Sequence, residues 1–158
     1  MSTKDRLLSD LNDVAELFAD TVRPDGHYAG WRGKEVLCHL APAARIVAAV
    51  VAARAEQRQP TEVELYGRNL TEAESRITSL DEINHAVQEE HSHLTYDEAS
   101  QFWRSQLARI FMELGRVSEE QLEAKITYPP AWATPHLYLV VDTFLSHCRS
   151  HVATVYDQ

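Results

Sequence analysis

Four segments of the chain repeat their apolar residues at the three- and four-residue steps of an α-helix. They cover about residues 3–23, 33–58, 95–115 and 135–155. The stripe of the first segment is Leu7, Leu11, Val14, Phe18 and Val22. Nowhere does the chain show the alternation of apolar and polar residues that marks a half-buried strand. Because each stripe needs a partner surface, the pattern predicts an all-α fold, a four-helix bundle.

Capping residues predict where two of the helices begin. Thr95 with Glu98 forms a capping box at the start of the third long helix. Ser79 with Glu82 forms a second one, with helical spacing after it. It predicts a short extra helix, from Leu80 to about His91, in the connection between helices 2 and 3.

The other boundaries follow from glycine and proline. Residues 24–30, PDGHYAG, are predicted to form a loop, and Gly67 should break the short helical pieces around it. Residues 118–133 are predicted to be irregular, since they contain two consecutive prolines. Thr134 is then the expected N-cap of the last helix, with Pro135 at its first position.

Composition narrows the class of protein. The chain has 158 residues, 44% of them hydrophobic and 25% charged, which suits a single domain over residues 1–158. Its net charge is −9, and no stripe of Lys and Arg is present, so we expect no nucleic-acid partner.

A cytoplasmic location is the expectation from the N-terminus and the apolar runs. The first residues contain no signal-peptide pattern, and the longest apolar run, 46–53, is too short to cross a bilayer. We therefore expect no membrane partner. Cys38 and Cys148 do not form a CxxC pair and are predicted to be buried free thiols.

Three histidines are the candidate metal ligands. His147 and His151 are four residues apart, so on a helix their Cβ atoms lie roughly 5–6 Å from each other on one face. They continue the apolar stripe of the last helix and should point inward. His39 lies on the inner stripe of the second helix and is the natural third ligand. Three imidazoles leave a coordination position open, as catalytic zinc requires. The alternative is three partly buried histidines satisfied by local hydrogen bonds.

The remaining histidines and the usual catalytic motifs give no competing site. The other five are His27, His85, His91, His93 and His136. Two Glu-x-x-His pairs occur, but both lie in or beside the short connecting helix, which does not favour a di-iron carboxylate bundle. The chain has no Gly-rich phosphate loop, no GxSxG and no HExxH.

Three stretches together resemble the DinB-like superfamily. They are WRGKEVLCHLAPAAR, with Trp31 eight residues ahead of His39; LDEINHAVQEEH followed by LTYDEASQFWRSQLARIFMEL; and HCRSHVATV, with His147 and His151. The resemblance covers nearly the whole chain. It implies a four-helix bundle, often a homodimer, that binds nickel, zinc or a similar divalent ion through three histidines, all present here. It also implies, for several branches, a thiol transferase or isomerase that uses mycothiol, bacillithiol or glutathione as cosubstrate.

Three functions follow from these observations. The first is an enzyme whose metal activates a low-molecular-weight thiol or water for transfer to a small electrophilic substrate. Its candidate substrate contacts are Tyr66, Arg68, Tyr128 and Trp132. The second is a non-catalytic, stress-related or binding protein with a structural metal. The third is a metal-free bundle whose histidines are polar core residues.

Overall fold

Helices form most of the chain in the computed structural model, which describes residues 1–77, 82, 85, 90–126 and 135–153. In chain order the elements are α1 (Thr3–Thr21), β1 (His27–Tyr28), β2 (Trp31–Arg32), α2 (Gly33–Ala55), α3 (Glu62–Tyr66), α4 (Tyr96–Arg116), α5 (Glu119–Glu123) and α6 (Leu137–Val152). One turn of 3₁₀ helix, Glu74–Arg76, lies between α3 and α4.

The four long helices α1, α2, α4 and α6 enclose the core. Each of α1 and α2 packs against both α4 and α6, so that α1 and α2 lie diagonally across the bundle. Phe18 of α1 stacks on Trp103 of α4 with ring centroids 4.6 Å apart, and Trp103 in turn meets Phe144 of α6 at 6.2 Å. The prediction of an all-α bundle is confirmed.

Helix α2 is the central buried helix of the bundle. The uninterrupted apolar run at 46–53 is too short to cross a membrane, but the whole helix could do so by length and composition alone. In the structure, 83% of its most apolar stretch is buried against the other helices, as in the core helix of a soluble protein. It ends three residues earlier than predicted, where Gln57 has a φ of 58° and Arg58 N–H donates to Ala53 O. This is a Schellman ending made without glycine, which the sequence did not reveal.

The connection after α2 contains short helical pieces, as predicted. Gly67 adopts the left-handed conformation at the end of α3, with a φ of 79°. A capping box of Thr61 and Glu64 begins that helix. The predicted helix from Leu80 to about His91, with its Ser79 cap, falls mostly outside the described residues.

A two-stranded hairpin replaces the loop predicted between α1 and α2. Ala29 and Gly30 both have positive φ, 54° and 91°, as the two central residues of a type I′ turn require. Tyr28 is buried, and its hydroxyl donates to Thr21 O at 2.6 Å and accepts from Arg23 N–H at 2.8 Å. The hairpin is therefore attached to the end of α1 and leads directly into α2.

The segment before α6 differs from the prediction in two ways. Ser118 begins a short helix, α5, in a stretch that was predicted to be irregular. The last helix starts at Leu137 rather than Pro135, because Ile126 N–H donates to Pro135 O and Leu137 N–H donates to Ala124 O. These long-range hydrogen bonds keep the backbone extended up to His136.

Candidate metal centre

The structure brings His39, His147 and His151 together at the contact between α2 and α6. The Nε2 atom of His147 lies 3.0 Å from Nε2 of His39 and 3.0 Å from Nε2 of His151. One ring nitrogen from each residue lies within 4.8 Å of the other two. We call these residues the three-histidine centre; among the described residues, they form the group of side chains that could hold an ion.

The donor atoms fit a cation better than they fit each other. The Nε2 atom of His147 faces two other ring nitrogens at 3.0 Å. A ring nitrogen carries either one proton or one lone pair, so it cannot form two well-directed hydrogen bonds at once. A tetrahedral zinc ion with bonds of 2.0–2.1 Å places its ligand nitrogens about 3.4 Å apart. The two nitrogen pairs that include His147 therefore need to separate by only a few tenths of an ångström to match this spacing.

The electrostatics of the centre favour a neutral imidazole at His151. The pKa of His151 is lowered to about 4, first because the side chain is removed from water and then because His39 and His147 lie beside it. At neutral pH this ring is therefore uncharged and has a nitrogen lone pair to donate. Neutral imidazole is the form of histidine that binds transition metals.

Trp31 of β2 packs against two of the three rings. Its indole is nearly parallel to the His151 ring, at 18° and 5.1 Å between centroids. It meets His39 edge-on, at 73° and 5.0 Å. From the sequence, Trp31 contributed only to the family resemblance, since no local spacing indicates a ring contact between a hairpin and two helices.

The centre lies between α2 and α6 at the protein surface. His147 is exposed, so the prediction that it points inward is wrong, whereas His39 and His151 are half-buried. An ion at this position would be reached from solvent on the His147 side. The centre is thus open to solvent on that side.

The two cysteines lie next to ligand candidates in sequence but do not join them. Cys38 and Cys148 are both buried and free, as predicted. The Cys38 thiol donates to the carbonyl of His91 at 3.3 Å. Burial raises the pKa of the Cys148 thiol, which keeps it protonated. Neither belongs to the cluster of possible ligand atoms.

The structure describes two of the four candidate substrate contacts, Tyr66 and Arg68. Tyr66 is buried in the core, with 3% of its surface exposed. Arg68 forms ion pairs with Glu74, at 2.7 Å, and with Glu90. Tyr128 and Trp132 lie outside the described residues.

A helical bundle in which two helices bring three histidines together is the arrangement that the DinB-like resemblance implied. The family model of the mycothiol maleylpyruvate isomerase N-terminal domain, a DinB-like domain, matches residues 4–144, and the chain belongs to this family. The match includes His39 but ends before His147 and His151. Their place beside His39 is therefore given by the geometry and not by the family match. Comparisons with curated proteins and with solved structures each gave no match.

Proposed function

We propose that this protein binds a divalent metal ion, zinc or nickel, through His39, His147 and His151. We also propose that it uses the ion to activate a low-molecular-weight thiol or water for transfer to a small electrophilic substrate. The observation that carries the proposal is the approach of two ring nitrogens, from two helices, to the Nε2 atom of His147 at 3.0 Å each. The family supports the same assignment, since its name contains a mycothiol-dependent isomerase.

The chemistry follows from the ligand set and its position. A divalent ion held by three imidazoles keeps a position for a further ligand and lowers the pKa of a thiol or water placed there. His39 and His151 are half-buried, and exposed His147 leaves the centre accessible to a small molecule. We propose mycothiol as the thiol because the family name contains it. The cytoplasmic location and the homodimer remain predictions.

The first experiment is elemental analysis of natively purified protein without a histidine tag. Wild type is compared with the double variant His147→Ala, His151→Ala. A matched control, His27→Ala with His93→Ala, removes two histidines from outside the centre. We expect near-stoichiometric metal in wild type and control, and none in the site variant. Little metal in all three, even after loading with zinc or nickel, would overturn the proposal.

A second experiment tests the enzyme separately from the metal. Metal-loaded wild type is incubated with mycothiol, or with glutathione for comparison, and a panel of small electrophiles. Loss of free thiol or isomerisation of the electrophile should depend on protein and on metal, and should be absent in the site variant. If metal binds but no thiol-dependent or hydrolytic turnover occurs, the non-catalytic alternative replaces the enzyme.

A further inference from the structure

We infer that Trp31 is a positioning residue of the three-histidine centre: its indole fixes the ring planes of His39 and His151 and so sets metal affinity and coordination geometry. The inference rests on the proposed function, since it concerns the same site. In a general packing role, any apolar side chain of similar size could replace Trp31. Here the effect on metal affinity is assigned to the aromatic face of the indole.

The rings of Trp31, His39 and His151 come from three different elements, and each contacts the other two. Trp31 of β2 lies 5.0 Å from His39 of α2 and 5.1 Å from His151 of α6, and the two histidine rings lie 4.7 Å from each other. One contact with the indole is stacked and the other edge-on. These are the two arrangements that aromatic rings prefer. Rotation of either histidine about its side-chain bonds would break one of them.

The plane of an imidazole decides where its lone pair points. The lone pair of Nε2 lies in the ring plane, so a ring that tilts or flips no longer points to the common ion. His39 and His151 are only half-buried, and the described contacts of Trp31 limit their freedom. Groups that orient metal-binding histidines typically change metal affinity roughly 10–100-fold when they are removed.

The hairpin holds Trp31 independently of the centre. Tyr28 is the cross-strand partner of Trp31, and its buried hydroxyl is hydrogen-bonded to the end of α1. Directly after β2 the chain enters α2, which carries His39. Consequently, the indole is positioned by the α1–hairpin junction, and the histidine rings pack against it.

The test compares Trp31→Phe with Trp31→Leu, since both keep an apolar side chain and only the first keeps an aromatic face. Zinc affinity is measured by competition with a chromophoric chelator, and the visible absorption of the cobalt(II) form reports coordination geometry. Tyr138→Leu is the matched control, because Tyr138 stacks on His136, a histidine outside the centre, at 5.6 Å. Thermal melting of the metal-free proteins confirms that each variant is folded.

We expect Trp31→Leu to weaken zinc binding roughly 10–100-fold and to change the cobalt spectrum. Trp31→Phe should recover most of the affinity, and Tyr138→Leu should leave affinity and spectrum at wild-type values. If Trp31→Leu binds zinc as tightly as wild type, with the same cobalt spectrum, the inference is wrong while the proposed metal site stands. If wild type binds neither ion, the proposed function fails and the inference with it.

Discussion

Replacing Glu64 with glutamine tests how α3 is attached to the end of α2. The Glu64 carboxylate accepts hydrogen bonds from both terminal nitrogens of Arg58, at 2.8 and 2.7 Å, and from Thr61 N–H at 3.0 Å. These hydrogen bonds lower the pKa of Glu64 from 4.5 to about 2, and those from Arg58 have the largest effect. The ionised carboxylate therefore stabilises the folded state.

The size of the effect follows from the pKa shift and the exposure of the pair. A fall from 4.5 to about 2 corresponds to a ceiling of roughly 3.4 kcal/mol, at 1.36 kcal/mol per unit. The side chains of Glu64 and Arg58 are 25% and 37% exposed, so water screens their attraction. We expect Glu64→Gln to lower the free energy of unfolding by about 1 kcal/mol at pH 7. Glutamine still serves the capping box with Thr61.

The pH dependence of that loss has a defined sign. A carboxylate whose folded pKa is depressed contributes its full stability above pH 4.5 and loses it as the pH falls toward 2. Urea unfolding of metal-free wild type and variant at pH 7, 5, 4 and 3 should give equal differences at pH 7 and 5. More than half of the difference should be gone at pH 3. Asp13→Asn, an exposed carboxylate on α1, is the control. A wild-type-to-variant difference that is the same at pH 3 as at pH 7 would refute the reasoning.

Three further outcomes are expected from the fold and the centre. Trp103→Ala removes a buried ring stacked on Phe18 and should cost about 3–5 kcal/mol in urea unfolding; a cost below 1 kcal/mol would contradict the core described here. Ala29→Asn creates the Asn-Gly pair that type I′ turns prefer, since Gly30 follows. It should raise the free energy of unfolding by about 0.5 kcal/mol, and a lower melting temperature would contradict it. Zinc or nickel at about 100 times its Kd should stabilise wild type by about 2.7 kcal/mol, a rise in Tm of roughly 5–10 °C. The variant without the two α6 histidines should show no rise.

Local signals were sufficient to predict the long helices. The Thr95–Glu98 capping box predicted the start of α4, and the structure has Thr95 as its N-cap. The apolar stripe of α1 is buried in full. A capping box lies within four residues of the helix boundary, and an apolar stripe repeats along one helix face. Sequence spacing alone therefore reveals both signals.

Of the missed elements, α5 begins with a local capping box of Ser118 and Gln121 that the sequence already contains. The hairpin and the start of α6 depend instead on an unusual residue or on contacts elsewhere in the chain. Ala29 takes a positive φ that alanine seldom adopts, so the hairpin had no Asn-Gly or Asp-Gly signal. Helix α6 starts after Pro135 because backbone groups of residues 124–126 form hydrogen bonds with Pro135 and Leu137. Neither the backbone conformation of Ala29 nor these hydrogen bonds can be read from a short stretch of sequence.

The candidate centre was predictable only in part. The spacing of His147 and His151 placed two rings on one helical face, and the structure agrees. His39 lies beside them only because α2 and α6 pack with these residues at the same level along the bundle axis. The resemblance implied this arrangement, whereas local spacing could not show it. The contact of Trp31 with two of these rings required the hairpin as well, and the hairpin was not predicted.

A catalytic and a structural ion at the centre predict different responses to removal of the metal. A structural zinc closes all four positions with protein ligands, whereas the described residues offer three, one of them exposed. Helices α2 and α6 are in contact, and the neighbours Leu40 of α2 and Leu145 of α6 are buried in the core. We therefore expect the helices to stay packed without an ion. Treatment with a chelator should leave the helical circular dichroism of wild type unchanged while removing the metal. Loss of helical signal on chelation would instead favour the structural alternative.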